Sequence, residues 1–198
     1  MTRKIVLASN NKKKLGELND LLKSINVEVV SQGSFGVESV EEPFHTFLEN
    51  SLVKARHASK STGLPAIADD SGICVDALGG MPGVFSARYA GEPSDDARNN
   101  IKLIASLQGV ENRKAHYTCV ITAVRSADDP EPLIAVGVWD GVISDEAKGE
   151  GGFGYDPYFV LPDGRHAAEL TATEKNEVSH RGKAVRTMLN LIKERWYW

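Results

Sequence analysis

Cysteine is scarce in this 198-residue chain: Cys74 and Cys119 stand far apart, each inside an apolar run. With no CxxC pair and no Cys/His cluster, a zinc site is not expected, and two buried thiols in a reducing compartment are. An excess of positive charge is also missing, since 23 Lys and Arg against 27 Asp and Glu leave a formal net charge of −4. Proteins that coat nucleic acid or membrane surfaces without specificity depend on surplus Lys and Arg. Neither is therefore an expected partner, and any anion must be held by a local arrangement. Long hydrophobic runs are absent too. The apolar run in "MTRKIVLA" is too short for a signal-peptide core, and no segment approaches the length of a membrane span. With no internal repeat, low-complexity tract or dividing linker, one soluble, cytoplasmic domain over residues 1–198 is expected. What remains is ordinary: hydrophobic residues make up 41% and charged residues 25%, enough for a domain with a real core.

The apolar pattern divides the chain into alternating elements. "KIVLAS" reads as a buried strand, followed by a helix over about 12–23 with Leu15, Leu18 and Leu22 on one face. "VEVVSQ" is a second strand. The next helix is bounded by a T-x-x-E capping box at Thr46 and Glu49 and by Gly63 and Pro65. It leads into "PAIADD", read as a strand that ends at two acids. A helix over 95–108 would turn Ile101, Ile104 and Leu107 inward. "AHYTCVITAVRS" and "LIAVGVWDGVI" are expected to form an antiparallel hairpin, and "PYFVL" is a shorter strand. A second capping box at Thr171 and Glu174 precedes a closing amphipathic helix with Val185, Met188, Leu189 and Ile192. Alternation with an intruding hairpin predicts an α/β fold with a mixed sheet.

Four segments could carry chemistry. In "ASNNKKKLGEL", Ser9, Asn10 and Asn11 lie where strand gives way to helix, and Lys12, Lys13 and Lys14 fill its first turn. Cations there oppose the helix dipole by roughly 0.3–1 kcal/mol each, unless a docked anion reverses the sign. A solvated lysine cluster explains the same residues, and both readings stand at this point. In "GEGGFGYDP", Gly149, Gly151, Gly152 and Gly154 surround Phe153, which could present its face to a planar ring or merely anchor a surface turn. In "TATEKNEVSHRGKA", Lys175, His180 and Arg181 gather near a helix start, where they could donate to a carbonyl-bearing base or to phosphate. Finally, Asp69 and Asp70 stand side by side, and alternation in a strand sends them to opposite faces. Asp70 is assigned the cleft-facing role. With Glu41 or Glu42 from "SVEEPFHTF" it could hold a hard divalent cation, which needs only one or two protein carboxylates. A charged run before a helix would explain the glutamates equally well.

Taken together, "LASNNKKK", "FLENSLVKARHAS", "LPAIADDSGICVDALGGMPGVFSARYAG", "GEGGFGYDPYF" and "AAELTATEKNEVSHRGKA" resemble the inosine triphosphate pyrophosphatase family, most closely its bacterial members. The resemblance implies two lobes around a central substrate cleft and hydrolysis of ITP, dITP and XTP to monophosphate and pyrophosphate. It also implies Mg²⁺ as cofactor and a homodimer. Carried over residue by residue, it implies triphosphate binding by Ser9 through Lys14, with Asn11 and Lys14 the main contacts. Asp70 would be general base and metal ligand, joined at the metal by Glu42 or Glu41, and Ser71 would touch substrate. Phe153, Gly154, Tyr155 and Asp156 would form the base pocket, and Lys175, His180 and Arg181 would read the 6-keto edge. Ser9 stands where many members have Thr, which keeps the hydroxyl. The competing expectations are a Maf-type pyrophosphatase for modified pyrimidine nucleotides and a non-catalytic nucleotide-binding regulator. The tail "ERWYW" has no assigned role.

Overall fold

The computed structural model describes residues 3–198; the side chains of Lys13, Glu17 and Leu21 also lie outside the described residues. Its elements are β1 (Arg3–Leu7), α1 (Lys12–Leu22), β2 (Val27–Ser31), α2 (Phe47–Thr62), β3 (Ala66–Val75), α3 (Asp96–Ser106), β4 (Lys114–Val124), β5 (Leu133–Ile143), β6 (Phe159–Val160), α4 (Ala172–Val178) and α5 (His180–Leu191). The strands form a sheet in the order β2-β1-β3-β4-β5-β6. β1 pairs in parallel with both β2 and β3, while β5 and β6 are antiparallel. The expected mixed α/β fold is the one observed. Ile5, Val6 and Leu7 of β1 are all buried, as a strand between parallel neighbours requires.

The chain forms two compact units. One comprises 1–70, 120–136 and 184–198, the other 71–119 and 137–183. The chain passes between them within β3, β4, β5 and the first turns of α5, so neither unit is a contiguous stretch that a linker could mark. Each has its own apolar cluster. In the first, Val6, Ala55, Ala58, Ala66, Ala68 and Val124 pack together, small residues that bring α2 close to the sheet. In the second, Leu103, Leu107, Tyr117, Trp139, Tyr155 and Phe159 form a larger aromatic core.

Three expectations need correction. β3 does not end at its acids but runs on to Val75, because the "ICV" that follows returns to the buried pattern; Asp69 and Asp70 lie mid-strand. The inward face of α3 differs in part: Leu107 is buried and Ile104 packs against the core as expected, but Ile101 is 69% exposed, and Asn99, Asn100 and Leu103 are buried. That stripe follows i, i+4 spacing, and polar Asn residues on it disguised the register. The closing helix is two helices. The capping box at Thr171 and Glu174 starts α4, but Ser179 is extended, and its hydroxyl accepts from the Gly182 N–H to open α5.

Two local details complete the first unit. The tail packs on it: Trp196 is buried, edge-on to Trp198, whose ring carries the Arg3 guanidinium 5.6 Å from its centroid. In the turn between β4 and β5, buried Asp129 accepts from the Arg125 guanidinium and from the Arg125 and Glu131 N–H groups. The Arg125 hydrogen bond outweighs burial and holds this carboxyl well below the usual range. A depressed folded pKa gives stability present above the unfolded value, about 3.9, and lost as pH falls towards the folded one. The Tm gap between wild type and Asp129→Ala should therefore be widest near neutrality and narrow below about pH 4. A gap constant down to pH 2 would contradict this.

Candidate active site

In the first unit, the turn after β1 is held by its own side chains. Ser9 Oγ accepts from the Asn11 N–H at 3.2 Å, and Asn11 Oδ1 accepts from the Lys14 N–H at 3.2 Å, which caps α1. Asn10 Oδ1 accepts from the Gly33 N–H at 2.9 Å. Lys14 Nζ reaches both Asp69 oxygens at 2.9 Å, an ion pair mostly removed from solvent. These residues open onto a cavity of about 160 Å³, lined among others by Ser9, Asn10, Lys14, Glu42, Lys54 and Asp69.

Lys54 joins the acids. Its Nζ lies 2.8 Å from a Glu42 oxygen and 3.6 Å from an Asp70 oxygen. α2 places it there, because Asn50, Ser51, Ala55 and Ala58 face the core at helical spacing and Lys54 shares that side. Asn50 also exchanges two hydrogen bonds with the Phe44 backbone, fixing the segment that carries Glu42. Of the two glutamates, Glu42 is half-buried on the cavity wall and Glu41 is exposed. Lys12 is exposed, and the Lys13 side chain lies outside the described residues.

The lining carboxylates Glu42 and Asp69 are matched by the lining ammonium groups of Lys14 and Lys54, and Asp70 adds a further carboxylate beside Lys54. Among the described residues no three His, Cys, Asp or Glu side chains form a ready cation cage. Two carboxylates converging on an ammonium suit a hard cation that takes its remaining ligands from water and phosphate.

In the second unit, the glycine-rich loop and Lys175 of α4 come together on Asp156, and His180 is linked to it through Tyr117. This buried carboxylate accepts from the Phe153 N–H at 2.8 Å and the Tyr117 hydroxyl at 3.3 Å, and pairs with Lys175. Gly152 makes the approach possible, since a Cβ there would collide with the Asp156 carboxylate. Gly149 runs equally close to the Ala168 backbone, where a Cβ would sit 2.5 Å from the carbonyl carbon. Lys175 Nζ lies 4.3 Å from the centroid of the Phe153 ring, which is 52% exposed. His180 is buried and stacks on Tyr117 at 4.8 Å with 9° between ring planes. Burial, and then the neighbouring Asp156 charge, raise the Tyr117 pKa well above the ordinary value, so it stays a donor. Tyr155 donates to the Ser86 carbonyl at 2.7 Å, and Arg181 donates to Ser71 Oγ at 3.4 Å.

Sequence reasoning missed Lys54 and Tyr117. Lys54 carried a signal, a cation among small residues on the buried side of a capped helix. Tyr117 carried none, for its partners His180 and Asp156 are remote in sequence.

In a mixed α/β fold, the first unit's cavity offers lysine cations to an anion, and the second unit's exposed aromatic beside a buried Asp–Lys pair offers a ring face to a planar group. The Ham1 family model matches residues 5–191, and the chain belongs to that family. It is 60% identical to a dITP/XTP pyrophosphatase of Chromobacterium violaceum, covering 98% of both chains. It is 57% identical to a dITP/XTP pyrophosphatase of Nitrosomonas europaea over 96% of this chain and 95% of the other. Among solved structures, a HAM1 protein from Coxiella burnetii aligns with a TM-score of 0.94 at 46% identity, covering 97% of this chain and 99% of that one. Membership implies dependence on a divalent metal. No helix among the described residues is long and apolar enough to cross a membrane.

Proposed function

We propose that this chain is a nucleoside triphosphate pyrophosphohydrolase that clears ITP, dITP and XTP from the nucleotide pool, yielding monophosphate and pyrophosphate. Its names in relatives at 60% and 57% identity support the reaction class. The observation that carries the reading is the Lys54 ammonium held between Glu42 and Asp70 beside the Lys14–Asp69 pair. Residues 1–198 act as one catalytic domain, cytoplasmic and homodimeric, with Mg²⁺ as the cofactor.

Glu42 and Asp70 would hold the cation, with Glu41 the less suited neighbour because it is exposed. Bound there, Mg²⁺ would neutralise phosphate charge and orient the attacking water. Asp70 takes a proton from a water molecule as the water oxygen bonds to the α-phosphorus and the α–β bridging bond breaks. The electron pair of the broken bond leaves on pyrophosphate. Lys14 and Lys54, with Ser9 through Lys13, stabilise the charge that grows there. Phe153 stacks on the base, within a pocket shared by Gly154, Tyr155 and Asp156. Lys175, His180 and Arg181 meet the 6-keto edge, and Ser71 orients Arg181 while touching substrate. An adenine amine would offer those donors no acceptor, a mismatch that can discriminate by about 10⁴–10⁵.

The test is pyrophosphate release from a panel of ITP, XTP, dUTP and canonical triphosphates, with and without Mg²⁺. Fast, Mg²⁺-dependent release from ITP and XTP is expected. Preference for a pyrimidine nucleotide would point to Maf-type chemistry, and ITP binding without release to a regulator. Within the same assay, Lys14→Ala should raise KM for ITP about tenfold or more through the lost charged hydrogen bond. An unaltered KM would remove Lys14 from the phosphate site.

A further inference from the structure

Phe153 leaves half of its surface in solvent, yet its backbone is held on both sides. Its own N–H is bound by Asp156 at 2.8 Å. The next residue, Gly154, donates its N–H to Asp96 Oδ2 at 2.7 Å, and its carbonyl accepts from Asn100 Nδ2 at 2.8 Å. Both partners come from the start of α3, four residues apart and so on one face. Asn100 is buried, and its amide also donates to the Asp96 carbonyl at 2.9 Å, so two acceptors fix which end of the amide faces the loop. Helix capping does not account for Asp96. The adjacent Asp95 is the N-cap, accepting from the Arg98 N–H at 2.8 Å, which leaves the Asp96 carboxylate to the loop. Gly154 has φ +62° and open space where a Cβ would lie, so glycine serves the backbone conformation there and the clamp holds it.

We propose that Asp96 and Asn100 are positioning residues for nucleobase selection. By gripping both polar groups of Gly154 they set the Phe153 ring and the Asp156–Lys175 pair before a ligand arrives. The ordering cost of the loop is then met in folding, and base contacts appear in full as affinity and discrimination. Neither residue lines the phosphate cavity of the first unit, so the chemical step is spared. The proposal rests on the reading of the second unit as the purine site.

The experiment measures kcat and KM for ITP and ATP on the full-length enzyme with Mg²⁺, for Phe153→Ala, Asp96→Ala, Asp96→Asn and Asn100→Ala. Phe153→Ala tests the underlying reading and should raise KM for ITP about tenfold, as loss of a stacking partner does. Asp96→Ala should raise KM by a similar factor, keep kcat within about threefold, and lower the ITP-over-ATP preference. Asp96→Asn keeps an oxygen acceptor for the Gly154 N–H and should recover most of the loss. If Phe153→Ala raises KM and Asp96→Ala does not, the clamp is overturned and the base site stands. If Phe153→Ala leaves KM unchanged, the base site falls and the clamp with it. A fall in kcat at constant KM in Asp96→Ala, or no recovery in Asp96→Asn, would show a merely structural contribution and also overturn the proposal. Should Asn100→Ala fail to fold, the Asp96 pair decides alone.

Discussion

Asp70→Asn is expected to lower kcat for ITP hydrolysis by about 10²–10⁴-fold, the usual worth of a general base, while nucleotide binding survives. The side chain keeps its shape and loses its basicity and charge. Lys54 retains its 2.8 Å contact with Glu42, so the cavity wall has no reason to collapse. Triphosphate contacts through Lys14 are untouched, because that lysine is paired with Asp69 and not with Asp70. The measurement is pyrophosphate release at saturating ITP and Mg²⁺, with ITP binding followed separately by calorimetry. Turnover within tenfold of wild type would end the assignment of Asp70 as base.

Asp156→Ala should be the most damaging change to the fold. It removes the acceptor shared by Phe153 N–H, Tyr117 hydroxyl and the Lys175 ammonium, whose side chain is only 14% exposed. Breaking one side of a buried ion pair costs about 3–5 kcal/mol, because the other charge stays buried without compensation. For a chain of this size that corresponds to a Tm lower by about 10 °C. The ITP-over-ATP preference should weaken as well, since Phe153 loses one of its backbone anchors. Asp156→Asn, which keeps an oxygen for the Phe153 N–H but no charge for Lys175, should fall between the two. A Tm for Asp156→Ala within 2 °C of wild type would show that the pair contributes little.

Much of the architecture was legible along the chain. The caps at Thr46 and Thr171 and the stop at Gly63 are local devices, and each marks a real helix end. β1 announced its burial through an unbroken apolar run. Errors arose where polar residues occupy inward positions: Asn99 and Asn100 hid the buried face of α3, and Asp69 and Asp70 made β3 look shorter than it is. A polar residue there reads as exposed until its partner is known, and Gly154 for Asn100 and Lys14 for Asp69 lie far away in sequence.

The order of residues alone determined that this chain is α/β, that its charged turns belong to a nucleotide-handling family, and which short segments are candidates for the chemistry, because caps, alternation and motif spacing act over a few neighbouring residues. Only the tertiary structure decided that Lys54 sits between Glu42 and Asp70, that Tyr117 ties Asp156 to His180, and that α3 grips the loop at Gly154. Such contacts join groups from 12 to 63 residues apart, and their strength depends on burial and direction that exist only once the backbone has closed around them.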